Sequence, residues 1–298
     1  RTLTITPAIR NRKWRPQSVL SDDCRFVGLI TERGDHLAQE TDRSNEGDPQ
    51  PQFEVTLWDI ESGKRVGTLW RSADHEEILG VIGVPDRGLM AGIIKHHTSS
   101  DEATHRLEIW DLASLTTRVQ IRIENLMTSE FSRDGMMLAV ESLGTDGDHA
   151  QLTLYNVDDG SVRNRFSISP TGNERYPTLV FKQDGSAIAS FNAQQKCIDL
   201  WDVQSGKKLQ SYEGIGRDTP FTWSATGDRI IAFDRSVAGA DQGQLKVLDA
   251  QTGRQLLVHA DHAIANASFQ LLPDGNRVVA WDNVGPPRIF DATPKDDQ

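Results

Sequence analysis

The 298-residue sequence predicts an all-β fold in which one four-stranded antiparallel unit is repeated six times. Two recurring segments predict it. One has alternating apolar residues, an aromatic or Leu, an Asp, a short turn and a second strand. The other, between successive copies of the first, has an apolar start, a tight turn and an apolar alternating strand. No long helical period interrupts them, and Pro and Gly punctuate the chain throughout.

The copies of the first segment are VTLWDIESGKRVGTL at 55–69, LEIWDLASLTTRVQI at 107–121, LTLYNVDDGSVRNRF at 152–166, IDLWDVQSGKKLQSY at 198–212, LKVLDAQTGRQLLVH at 245–259 and a truncated PRIFDATPK at 287–295. Their equivalent positions are Asp59, Asp111, Asn156, Asp202, Asp249 and Asp291, spaced by 52, 45, 46, 47 and 42 residues. Those spacings lie near the ~40–45 residue period of four-stranded propeller blades. The second segment reads VLSDDCRFVGLIT at 19–31, GVPDRGLMAGII at 83–94, FSRDGMMLAVES at 131–142, FKQDGSAIASF at 181–191, WSATGDRIIAF at 223–233 and LLPDGNRVVAW at 271–281. The Asp-Gly pairs at 134–135, 184–185 and 274–275 are expected to supply the positive φ angles of two-residue hairpins. With the strands of one unit labelled a to d, the second segment is a–b and the first is c–d.

A lone four-stranded sheet cannot bury both faces, whereas radial stacking does so and leaves only short edges. The expected architecture is therefore a six-bladed β-propeller of four-stranded antiparallel blades, one domain over residues 1–298. The last copy runs out after its third strand, and Thr2–Thr6 (TLTIT) belong to no unit. They are expected to supply the missing outer strand and close the ring. The alternative is a seven-bladed ring completed by residues outside this sequence.

The recurring Trp-Asp at 58–59, 110–111 and 201–202, with YN, LD and FD elsewhere, resembles the WD-repeat family over essentially the whole chain. Asp74-His75 and Asp261-His262 stand where that family has Gly-His. The family's b–c turn Asp is not recognisable in most units, so its hydrogen-bond network is expected to be incomplete. LKVLDAQTGRQLL also looks like a pyrroloquinoline-quinone propeller repeat, but the repeated Trp docking motif is missing. The resemblance implies a rigid, non-enzymatic platform for a protein partner.

Composition narrows the classes. A net charge of −11 argues against a general nucleic-acid binder, whose affinity rests on neutralising phosphates. No apolar run approaches the roughly 18 residues of a membrane helix, and no signal peptide is recognisable. The corresponding expectations are a monomer that does not insert into membranes, with the compartment left open and the cytoplasm slightly favoured. The chain begins with Arg, in keeping with a piece excised from a longer protein. Cys24 and Cys197 show no metal-ligand spacing and are expected to be free thiols.

In repeat folds of this kind the loops carry function. The b–c connections are long at Glu32–Gln52, Lys95–Arg106, Leu143–Ala150 and Arg235–Gly243. The first holds Asp35, Glu40, Asp42, Glu46 and Asp48 and reads as an acidic flap for a basic partner. The second holds His96, His97, Asp101, Glu102 and His105, residue types that can ligate zinc. His96 and His97 are adjacent on a strand end, however, where side chains point to opposite faces. The group is assigned to partner contact, and no metal or cofactor is expected. LGTDGDHA at 143–150 lacks the further ligands of a calcium loop. His75 and His262 recur at matching positions and are expected to pack or to bond in turns. No nucleophile elbow, zinc-protease helix or phosphate loop is present. The remaining alternatives are a lactonase-like hydrolase with a metal in a central channel, and a small-ligand sensor.

Overall fold

The computed structural model describes residues 18–21, 24–33, 52–84, 87–97, 104–144, 149–169, 179–215, 219, 221–224, 226–234, 243–261, 268–271, 277–281 and 287–291. Thr2–Thr6 and His262 lie outside them. The described residues form strands and turns with no helix. None is therefore long and apolar enough to cross a membrane as a helix.

Six antiparallel sheets follow one another along the chain, each a meander in sequence order. The first comprises β1 (Ser18–Leu20), β2 (Phe26–Arg33), β3 (Gln52–Asp59) and β4 (Lys64–Arg71). The second comprises β5 (Glu76–Val84), β6 (Leu89–His96), β7 (Thr104–Asp111) and β8 (Thr116–Glu124). The third has β9 (Leu126–Phe131), β10 (Met137–Leu143), β11 (Ala150–Asn156) and β12 (Val162–Ile168). The fourth has β13 (Leu179–Phe181), β14 (Ala187–Asn192), β15 (Cys197–Asp202) and β16 (Lys208–Tyr212). The fifth has β17 (Phe221–Trp223), β18 (Arg229–Asp234), β19 (Gly243–Asp249) and β20 (Gln255–Asp261). The sixth has three strands among the described residues, β21 (Ser268–Leu271), β22 (Arg277–Trp281) and β23 (Arg288–Asp291).

The chain groups into two compact units. One is Arg1–Leu126 with the third-sheet turns Asp134–Met137 and Asn156–Ser161, and the other is the remainder. In the first unit, Ile30, Phe53, Val55, Leu57, Leu69 and Trp70 of the first sheet pack with Ile78, Met90, Ile94 and Trp110 of the second. In the second, Phe191, Ile198, Leu200 and Tyr212 pack with Phe221, Trp223, Ile230 and Leu248. Ile231, Phe233, Leu245 and Val247 pack with Val278 and Phe290. Each fully buried large apolar side chain contributes roughly 2 kcal/mol, and β14 is buried at every position, its polar Ser190 and Asn192 included.

The recurring Asp is a turn cap. The Asp59 Oδ1 accepts from the Ser62 amide (2.8 Å) and hydroxyl (2.7 Å). Asp111 does the same with Ser114, Asp202 with Ser205 and Asp249 with Thr252. In the third sheet, where Asn156 replaces it, Asp159 bonds Ser161 instead. Next to the capped residues the chain passes through the left-handed region at Gly63, Leu115, Gly160, Gly206 and Gly253. Four are glycine, which adopts that conformation without strain.

Each of these turns is followed by a β-bulge in the fourth strand. Trp58 pairs with Arg65 and Leu57 with Gly67, leaving Val66 unpaired. Arg118, Arg163, Leu209 and Leu256 are skipped in the same way. The skipped residue faces solvent: Val66, Leu209 and Leu256 are 43%, 58% and 41% exposed. A bulge bends the outer strand and spoils its edge as a template for another chain.

The expected two-residue Asp-Gly hairpins are corrected at 134–135 and 184–185, while the pair at 274–275 lies outside the described residues. Five residues, 182–186, separate β13 from β14. Lys182 and Gly185 close a turn in which the glycine alone has positive φ. The Asp184 carboxylate caps the Ser186 amide rather than entering the left-handed region.

Leu115 is the exception among the turn glycines, and its side chain explains it. A Cβ on Gly67 would lie 2.3 Å from Leu115 Cδ1, so the leucine occupies the space that Gly67 leaves on β4. One step on, the sizes reverse, with Gly160 lying over Val119. Replacing Leu115 with Gly relieves the left-handed strain but empties that space, with an expected cost of about 1–2 kcal/mol. Adding Gly67→Val to Leu115→Gly should recover most of it, as measured by urea denaturation. A double variant weaker than both singles would show that the two residues do not exchange volume.

Candidate interaction face

The antiparallel meander puts the b–c connection of each sheet at the end opposite its a–b and c–d turns. Paired strands lead into each connection. In the first sheet the last pair is Arg33 with Gln52. The intervening segment, with Asp35, Glu40, Asp42, Glu46 and Asp48, lies outside the described residues. Beneath it, the Ser72 hydroxyl accepts from the Phe53 amide (2.9 Å), and Glu54 lies 3.5 Å from both Arg65 and Arg71.

In the second sheet His96 pairs with Thr104 and Lys95 with His105; Asp101 and Glu102 lie outside the described residues. His97 follows β6. Its amide donates to the His75 carbonyl (2.9 Å), and its Nε2 lies 3.1 Å from Glu77 Oε2. His75, with φ 64°, thus serves as a backbone acceptor in a turn. Of the histidines expected here, His96 and His105 sit on opposite faces. Among the described residues no three His, Cys, Asp or Glu side chains come together as a metal site would require. In the third sheet the Gly144 amide donates to the His149 carbonyl (2.8 Å), closing the loop at its base. The fourth sheet has instead a short turn, with Asn192 Oδ1 accepting from the Gln194 and Gln195 amides.

Between these ends and the turn caps runs a polar position that sequence reasoning missed. Three residues before the recurring Asp stand Thr56, Glu108, Thr153, Asp199 and Lys246. The first four are buried. The Glu108 carboxylate accepts from Trp110 Nε1 (3.0 Å), Arg106 Nε (2.8 Å), Gln120 Nε2 (3.1 Å) and Thr117 Oγ1 (3.4 Å). Arg106 also reaches Glu76 at 2.8 Å. Burial pushes the Glu76 carboxyl up, but the Arg106 hydrogen bond and the Ala73 amide hold it below its ordinary value. Asp199 accepts from Asn192 (2.9 Å) and Ser211 (2.5 Å), with Lys208 at 3.4 Å. Lys246 donates to Asp234 and to the Gly214 carbonyl, each at 2.6 Å. The aromatic beside this position is both packing residue and donor: Trp58 bonds Thr56 (3.0 Å) and Trp201 bonds Ser190 (2.9 Å). The signal was visible in the sequence, since this position is never large and apolar in the first five repeats.

Neither cysteine is in a disulfide; Cys24 is exposed and Cys197 buried. Burial, then the neighbouring Asp199, pushes the Cys197 thiol up to about 11, so it is not a nucleophile at neutral pH. On β9, desolvation pushes the Glu130 carboxyl up to about 8, and the adjacent Ser129 hydroxyl is buried without a partner.

No known family model and no curated protein matches this chain.

Two outcomes follow from these networks. Glu108→Ala strands four donors in a buried place, with an expected loss of about 3–5 kcal/mol in chemical denaturation. Glu108→Gln, which keeps one acceptor, should lose less. Glu130 has the opposite sense. Its folded value is above the unfolded one, so its stabilising contribution is present below about pH 4.5 and lost as pH rises towards 8. Glu130→Gln should therefore raise the melting temperature at pH 7.5 and leave it nearly unchanged at pH 4.

Proposed function

We propose that the chain is a six-bladed, WD-repeat-like β-propeller, a single domain acting as a monomeric, non-enzymatic scaffold that binds a basic protein partner through its b–c face. The observation that carries this reading is the distribution of charge. The b–c connections at 34–51, 98–103 and 145–148 together hold nine acidic residues and one basic one, eight of the net eleven negative charges. The strands that present them are held by registered pairs up to the connection, as a rigid platform needs. By contrast, the repeated acidic residues at the opposite sheet ends are occupied as turn caps. Asp59 and Asp111 are held below the ordinary carboxylate range chiefly by a serine amide, and Asp159, Asp202 and Asp249 chiefly by a hydroxyl.

The blade reading is supported by the way consecutive sheets meet inside each unit. A Cβ on Gly83 of β5 would lie 2.7 Å from the Leu20 carbonyl of β1, and Trp223 of β17 donates to the Val180 carbonyl of β13 (3.2 Å). First strands converge on first strands, and turns seat on fourth strands, as in radial stacking. On this reading Thr2–Thr6 supply the outer strand that the sixth blade needs.

An array of basic peptides probes the face. Binding should weaken as NaCl is raised and fall at least tenfold when residues 34–50 are deleted. Undiminished binding by the deletion would remove the acidic connection from the reading. Separately, deleting residues 1–8 should lower the melting temperature by roughly 10 °C; an unchanged melt would sink closure by that strand.

A further inference from the structure

At the b–c end of the second sheet, one cross-strand row on one face holds Glu77 of β5, Lys95 of β6, His105 of β7 and Ile123 of β8. His97, two residues beyond Lys95, returns to Glu77 at 3.1 Å. Arg122 and Glu124 flank Ile123 but alternate to the other face, with Glu76, His96 and Arg106. There Arg106 bonds Glu76 and His96 stands directly opposite Glu76, with Arg122 opposite Arg106. His105 is differently placed. Its direct neighbour on β6 is a cation, the carboxylate of its row stands beyond that cation and is engaged by His97, and its neighbour on β8 is apolar. Its Nδ1 is buried and has no hydrogen-bond partner.

We propose that this row makes the end of the second sheet an acid-sensitive latch, in which the last pairs of β6 and β7 hold at neutral pH and unzip when His105 must take up a proton. In the closed sheet the imidazolium would be desolvated and set against Lys95; in the opened end it is hydrated and moves away from the lysine. Burial first, and Lys95 second, hold the His105 value below the ordinary one. For a histidine of lowered folded value, the closed state keeps its full stability above about pH 6.5. The latch weakens as pH falls below that, until the folded group itself protonates. His96 and His97 stand opposite the carboxylates Glu76 and Glu77. As a regulator of partner binding the latch rests on the interaction face proposed above; as a property of the sheet it does not.

The test is amide hydrogen exchange of the full chain at residues 93–96 and 104–107, corrected for intrinsic rates, from pH 7.5 to 4.5. The opening equilibrium of the parent protein should rise by up to about tenfold per pH unit below about 6.5, then level off. His105→Gln should be flat over the same range. Lys95→Met, which removes the repelling cation, should level off at higher pH and give a smaller total rise. A rise that persists in His105→Gln, or a parent protein no more open at pH 5 than at 7.5, overturns the latch. If His105→Gln does not fold, an unchanged total rise in Lys95→Met overturns it. Because no partner is present, failure of the basic-peptide binding leaves this result standing, and a flat profile with binding intact removes the latch alone.

Discussion

The contact on which the rest of the structure depends is the seating of a c–d turn on the fourth strand of the sheet before it. It occurs four times with different chemistry. Leu115 fills the space over Gly67, Gly160 lies over Val119, Gly206 over Phe166 and Gly253 against Gln210 and Tyr212. Where the contact is polar, the fourth strand donates to the turn. Asn164 Nδ2 bonds the Val203 and Gln204 carbonyls, and the Tyr212 hydroxyl bonds the Ala250 carbonyl at 2.6 Å. Arg87 and Arg118 both bond Asp158 in the Gly160 turn. The turn must keep one shape for this to recur, which is why its Asp is bound by a serine or threonine at nearly every repeat. Burial of the sheet faces follows from the seating. A four-stranded sheet exposed on one side would lose half of its apolar contribution.

A second constraint follows from that burial. Strand c lies between two others and between two faces, so a polar side chain on it must find partners within the sheet. The residue three before the recurring Asp, buried in the first four repeats and half-buried at Lys246, meets this in every case for which bonds are described, but by different means. Thr56 takes one indole proton, whereas Glu108 gathers donors from its own strand and from β8, and Asp199 from β14 and β16. Lys246 inverts the charge and uses a carboxylate on β18 and a backbone carbonyl. The diversity has a physical reason. What the position requires is satisfaction, not a particular sign, so the repeat tolerates Thr, Glu, Asp and Lys alike. Removing one partner is costly all the same, because those left behind remain buried.

Strand order, the meander within each repeat and the positions of the long connections were legible in the sequence, because alternation and turn residues report directly on local backbone. The hairpin geometry at 184–185 was not. Asp-Gly marks a turn, but whether one residue or both take positive φ depends on the loop length that the flanking strands allow. The bulges at Val66, Arg118, Arg163, Leu209 and Leu256 were also hidden, since a skipped residue leaves the apolar alternation nearly intact over so short a strand. Among the candidate contact residues, the sequence placed His96 and His105 within one connection, whereas the structure carries the strands on through them, to His96 and from Thr104. The sequence did not reveal that the first faces Glu76 and the second faces Lys95, because cross-strand register sets that difference and neither residue's own neighbours encode it.

That difference bears on where the molecule can vary. At the a–b and c–d ends, carboxylates are committed to closing turns, and a change there alters the seating of the next sheet. At the b–c ends the strands are already paired to their last residues, as Arg33 with Gln52 and His96 with Thr104 show, so the connections beyond add length and charge without altering the sheets. Loop extension there costs little, since closure entropy rises only slowly with length. The acidic excess has therefore gathered where the sheets do not need it for folding. A carboxylate of the capped turns is committed to the fold, whereas the sequence keeps most of its net negative charge in the segments beyond the last b–c pairs.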